Sequence, residues 1–202
     1  MKLTISRGNM KLGNIPNLSF TPIRSCKPGC LCAKICYAMK SYLQFDCVRK
    51  SWDGNLALFT GDRHEFKRQL QEWLKKHKPR YFRYLVGGDA PTAKFFALIM
   101  DTAWKFPETR FMCYTKRWDL LGQYMNEDPN TVPPGNLNVL LSRWPGDIAP
   151  PESLRSQFVE TWMLDPKNPD PRIPVGRHCP GSCKTCKLCW RAKNLPVLFT
   201  RH

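Results

Sequence analysis

Ten cysteines stand in this chain of 202 residues, and eight of them fall into two eleven-residue windows. The first window reads Cys26-Lys-Pro-Gly-Cys30-Leu-Cys32-Ala-Lys-Ile-Cys36. The second reads Cys179-Pro-Gly-Ser-Cys183-Lys-Thr-Cys186-Lys-Leu-Cys189. Four thiols on so short a segment can close on one centre, and four thiolates suit tetrahedral zinc or a four-cysteine iron–sulfur cluster. In the first window Cys32 and Cys36 are four apart, so one helical turn would align them, with Cys26 and Cys30 on the loop before it. That dense run favours a [4Fe–4S] cluster over zinc. At the second window zinc and iron–sulfur stand about even, and Lys184, Lys187, Arg191 and Lys193 would offset thiolate charge. Two separate sites are simpler than one bridged site. His178 beside the second run reads as a neighbour rather than a ligand. Cys47 and Cys113 stand alone and are expected to pack as small hydrophobes.

The balance of the chain limits what surrounds these thiols. Hydrophobic residues make up 42% and charged residues 24%, an ordinary globular composition, so the chain is expected to fold as a single domain over residues 1–202. No apolar run is long enough to cross a membrane, and the start, Met1-Lys2-Leu3-Thr4-Ile5-Ser6-Arg7, lacks a signal peptide's apolar stretch. A cytoplasmic location follows as the expectation, where thiols stay reduced and metal is their natural use. The 32 Lys and Arg against 16 Asp and Glu leave a net charge of +16, which attracts polyanions such as nucleic acid. The alternative to an enzyme is therefore a metal-stapled basic protein that binds nucleic acid. Trp52, Trp118 and Trp190 would be its stacking platforms if exposed, although core packing is the more ordinary use of tryptophan. No phosphate loop, Ser–His pair or paired carboxylates appear, so hydrolase and kinase readings lack support.

The elements that must position the thiols can be read from periodicity. Residues 1–25 look extended. A helix is predicted from about Ala33 to Leu58, broken near Phe45. Asp62 and Glu65 form a capping-box pattern ahead of Phe66, Leu70, Trp73, Leu74 and His77, and Pro79 stops that helix. Strands are predicted at Tyr81–Val86, Arg110–Thr115, Leu137–Ser142 and Gln157–Leu164, with a further one at Pro196–Thr200. Helices at Thr92–Phe106 and through Trp118, Leu121 and Met125 separate the first three. Residues 165–182 read as loop. This alternation predicts an α/β fold, a partial (β/α) barrel or a parallel-sheet layer, with cysteine-rich segments near both ends. Such folds place their sites beyond the carboxyl ends of the strands. Three turns lie there: Gly87-Gly88-Asp89, Tyr114-Thr115-Lys116 and Ser142-Arg143-Trp144.

The run Cys26 to Ala38 resembles the N-terminal cysteine motif of the bacteriophage gene product 88 family, in which a Cys followed by Pro and small residues precedes Cys-x₃-Cys-Tyr-Ala. Asn55-Leu56-Ala57-Leu58, Gly88-Asp89, Tyr114-Thr115-Lys116 and the closing Cys183 to Trp190 also resemble it, so the resemblance spans roughly residues 20–190. A host-cytoplasmic location follows if the chain is phage-encoded. More distantly, cysteines at the start of an α/β body followed by a Gly-Gly-acid turn resemble the radical S-adenosylmethionine superfamily. That resemblance implies three cysteines on a [4Fe–4S] cluster whose open iron binds S-adenosylmethionine, and a Gly-Gly-Glu-Pro turn that binds its amino group. Here Gly87, Gly88 and Asp89, followed by Ala90-Pro91, occupy the comparable place. Cys26, Cys32 and Cys36 match the motif best; if Cys30 also ligates, no iron stays open. The literal Cys-x₃-Cys-x₂-Cys spacing is found at Cys179-Cys183-Cys186, at the opposite end of the chain. Lys116 or Arg143 would face the carboxylate or the substrate, and the second cysteine run would be auxiliary or structural.

Overall fold

The computed structural model describes residues 1–200 apart from 129 and 168. A short β1 (Asn17–Leu18) is followed by a 3-10 turn (Leu31–Ile35) and three helices: α1 (Tyr37–Gln44), α2 (Asp46–Gly61) and α3 (Arg63–His77). Then β2 (Tyr81–Tyr84), α4 (Ala93–Lys105), β3 (Arg110–Thr115), α5 (Trp118–Glu127) and β4 (Leu137–Arg143) alternate. The remainder is α6 (Glu152–Arg155), β5 (Val159–Leu164), β6 (Arg177–His178), α7 (Cys183–Cys186) and β7 (Val197–Thr200). The strands form one seven-stranded sheet in the order β1-β2-β3-β4-β5-β7-β6, and every pairing is parallel. It is a parallel α/β layer that follows chain order from β1 to β5 and reverses at β7-β6, not a closed barrel. No helix of the described residues is long and apolar enough to cross a membrane.

The two sides of the sheet differ because side chains alternate along a strand. Phe82, Tyr84, Phe111, Cys113, Leu137, Val139 and Leu141 face the helices and pack with Phe59, Phe66, Leu70, Phe95, Ile99 and Leu121. Tyr81, Met112, Tyr114 and Leu140 point the other way. No helix of the alternating series covers that inner side. Leu12, Ile15, Cys183, Cys189, Trp190 and Ala192 do.

Local chemistry explains the element ends. Asp62 accepts the Glu65 amide at 2.9 Å, which supplies half of the expected capping box. The Glu65 carboxylate turns instead to Arg68 and Gln69. Lys78 closes α3 in the left-handed conformation, ahead of Pro79. Leu85, at φ 59, ends β2 two residues sooner than its apolar run suggests. The helix expected from Ala33 to Leu58 is broken at Phe45 as its sequence suggests. Its first turn, however, is 3-10, and Cys36 leaves it at φ −65, ψ 112. Cys32 and Cys36 are therefore not stacked on one α-helical turn. The 165–182 segment carries a short strand, β6; its residue 168 lies outside the described residues. Cys113 is buried as expected, whereas Cys47 is exposed on α2. Trp118 and Trp190 are buried, so neither offers a stacking platform.

Candidate functional site

The loop after β1 is held by the turn after β2. Leu85 N–H donates to Leu18 O at 2.7 Å, and Phe20 N–H donates to Gly87 O at 3.0 Å. Side chains continue the seam. The Ser19 hydroxyl accepts Gly87 N–H at 3.0 Å, and the Ser25 hydroxyl accepts Asp89 N–H at 3.1 Å while donating to Thr21 O at 2.7 Å. Thr21 and Tyr42 both donate to the Asp53 carboxylate, which fixes α1 and α2 to the same loop. Asn55 on α2 is fully buried and donates to Thr4 O and Ser19 O while accepting Thr4 N–H. These bonds deliver the cysteines to the carboxyl edge of the sheet.

The two glycines are used for this docking. A Cβ on Gly87 would lie 2.5 Å from the Trp52 ring. Gly88 has φ +74, and a Cβ there would strike the Ser25 hydroxyl and lie 2.7 Å from Phe20 O. Asp89 is also engaged internally. One carboxylate oxygen accepts Ala90 N–H and the Thr115 hydroxyl, each at 2.7 Å, and the other accepts Lys116 N–H at 2.8 Å. Burial pushes its pKa up, and these three donors pull against that. The turn expected to hold a cofactor amine thus ties β2 to β3. Helix α4 takes Thr92 as its N-cap residue.

Around this seam the four thiols differ. Burial, and then nearby Asp89, pushes the Cys26 thiol up to about 11. Cys30 and Cys32 lie with their sulfurs 2.7 Å apart. The contact with Cys32, together with Lys116, brings Cys30 down to about 6 against the opposing effect of burial, while the same contact and burial push Cys32 up. Lys116 Nζ donates to the Ser142 hydroxyl at 2.8 Å and lies 5.2 Å from the centre of the Trp144 ring. Arg143 pairs with Glu160 at 3.0 Å and stacks on Trp162 at 4.2 Å. Asp147, raised by burial, lies within the field of Lys116, Arg143 and Lys27. Loops after β1, β2, β3 and β4 therefore meet at one edge.

The second cysteine run lies on the inner side of the sheet. Asn138 of β4 donates to Cys189 O at 2.9 Å and Ala192 O at 3.0 Å, and Trp190 Nε1 donates to Phe82 O at 3.1 Å. Cys183 and Cys189 are buried; Cys179 and Cys186 are half-buried. Beside them is an open depression of about 570 Å³ lined by Arg177, His178, Pro180, Cys186, Leu188 and Arg191. His178 is exposed, within β6.

Among the described residues, no group of three His, Cys, Asp or Glu side chains is arranged to hold a metal ion. The donor chemistry nevertheless fits a thiophilic centre. Two sulfurs on one tetrahedral zinc at about 2.3 Å each stand about 3.8 Å apart, and sulfurs on different irons stand wider. Cys30 and Cys32 at 2.7 Å cannot both ligate without separating.

The sequence model of the gene product 88 family matches residues 2–144. No curated protein and no solved structure matches the chain. The matched residues run from the N-terminal segment through β4 and include the first cysteine run, the Gly87-Gly88-Asp89 turn and Tyr114-Thr115-Lys116. They stop before the second run, which the sequence resemblance had included. With well over half of its residues matched, the chain belongs to the gene product 88 family.

Proposed function

We propose that the Cys26–Cys36 loop holds an iron–sulfur centre at the carboxyl edge of the sheet and that the chain is a radical S-adenosylmethionine-like enzyme. The observation that carries this reading is the meeting of a four-thiol loop after β1 with the turns after β2, β3 and β4. Parallel sheets build their active sites at that edge. Cys26, Cys36 and one of Cys30 and Cys32 would hold the centre. When bound, such a centre supplies an electron to a coordinated ligand. Lys116, which donates to Ser142 and lies over Trp144, would hold an anionic group. Asp89 positions the Lys116 backbone rather than the ligand, and Gly87-Gly88 let the cysteine loop approach the turn.

Anaerobic purification with iron, sulfide and zinc analysis and a visible spectrum tests the reading. The expected result is iron and sulfide bound through the first run, and turnover of S-adenosylmethionine to 5′-deoxyadenosine. Zinc alone would sink it. Cys26→Ala and Cys36→Ala are expected to lose the centre. Cys30→Ala is expected to keep it, because Cys32 remains.

A polyanion partner keeps the support of the +16 charge. The stacking that single-stranded nucleic acid would need loses Trp118 and Trp190 to the core. Binding of single-stranded DNA, measured across salt concentrations, separates this reading from catalysis.

A further inference from the structure

Arg83 lies in the middle of β2 and is 7% exposed. Its neighbours Phe82 and Tyr84 face the helices, so Arg83 faces the inner side with the second cysteine run. Among the described residues no carboxylate pairs with it, and its Nε lacks any hydrogen-bond partner. Arg143, the other buried arginine, has Glu160. The Arg83 guanidinium lies 5.1 Å from the centre of the Tyr114 ring, and the Tyr114 hydroxyl is 2.7 Å from Cys189 Sγ. The Tyr37 hydroxyl donates to Val86 O at 2.6 Å. The titratable groups around the guanidinium are Tyr37, Tyr114, Cys183 and Cys189. All are neutral when protonated. A buried cation among neutral groups is strongly unfavourable unless an anion accompanies it.

We propose that Cys179, Cys183, Cys186 and Cys189 form an all-thiolate metal centre and that Arg83 is its buried counter-ion. The four thiols release four protons as the metal enters, and either zinc or a [4Fe–4S] core then leaves a net double negative charge. Arg83 neutralises one of the two. The local backbone suits this use. Lys187, at φ 53, turns the chain just after the Cys183–Cys186 helix, and the Leu188 N–H donates to Cys186 Sγ at 3.3 Å. Cys183 N–H donates to Lys11 O at 2.9 Å, which fixes the start of the turn. The centre is independent of the one proposed on the first run.

The test uses the full chain with Cys26, Cys30, Cys32 and Cys36 all changed to Ser, loaded either with zinc or cobalt, or anaerobically with iron and sulfide. Elemental analysis and the cobalt or iron–sulfur spectrum give the occupant and its stoichiometry, and chelator competition gives its affinity. One tetrathiolate centre per chain is expected, with all four remaining thiols of the run protected from alkylation. Arg83→Gln and Arg83→Met are expected to weaken metal affinity about 10- to 100-fold. Arg83→Lys should restore most of it, and Arg110→Gln, which removes an exposed charge on β3, should change nothing. Measuring both neutral variants lets one decide if the other fails to fold. Failure to bind either metal overturns the proposal, as does unchanged affinity in Arg83→Gln or Arg83→Met. An Arg83→Lys loss as large as theirs also overturns it, since charge would then not be the cause.

Discussion

At the scale of single residues, the polar side chains buried in apolar surroundings carry the most information. Asn55 satisfies three backbone groups from two distant segments. Asn55→Ala is expected to destabilise the fold by about 2–4 kcal/mol, read by urea denaturation, because buried donors and acceptors lose their partners together. Cys30 makes a separate prediction. A thiol held down to about 6 remains thiolate below the usual cysteine range. In metal-free protein, iodoacetamide should label Cys30 readily at pH 7, and that labelling should fall away as pH drops through about 6. Mass mapping of labelled peptides against pH gives the profile. The cysteine runs themselves are conspicuous in the sequence. The relation between Cys30 and Cys32 is not, because a one-residue spacer allows either contact or divergence, and the backbone decides which. Arg83 does leave a trace: a lone arginine inside Tyr81-Phe-Arg-Tyr84 is an odd member of a buried strand.

At the scale of elements, two glycine substitutions separate packing from propensity. Gly88→Ala combines a positive φ with a clash against Ser25 and Phe20, and is expected to cost about 2 kcal/mol or more. Gly54 lies within α2 with open space where a Cβ would stand, so Gly54→Ala should stabilise by about 0.5–1 kcal/mol. Thermal unfolding of the two variants gives opposite shifts. The alternation of strands and helices was readable because Pro79 and Pro107 stop helices and the apolar periods differ between element types. The 3-10 turn at Leu31–Ile35 was not readable. Its residues suit an α-helix, and nothing in their spacing marks the tighter turn.

At the scale of the whole molecule, the second cysteine run plays a part that periodicity cannot express. It covers the inner side of the sheet, where Tyr81, Met112, Tyr114 and Leu140 would otherwise meet water. Contacts between residues a hundred positions apart, such as Trp190 with Phe82, leave no repeating signal. Deleting residues 177–200 should bare that side. The expected result is strong binding of a hydrophobic dye and loss of a single cooperative unfolding transition.

The strand order has one more consequence. The outermost strands, β1 and β6, are two residues each, and β1 is further engaged on its outer side where Ser6 pairs with Asn17. Long bare borders invite copies of a protein to zip together into fibrils. Here the longer strands, β2 to β5, all lie within the sheet, and each border offers a rung or two to a stranger. The fold limits its own polymerisation by placing its shortest strands at the rim.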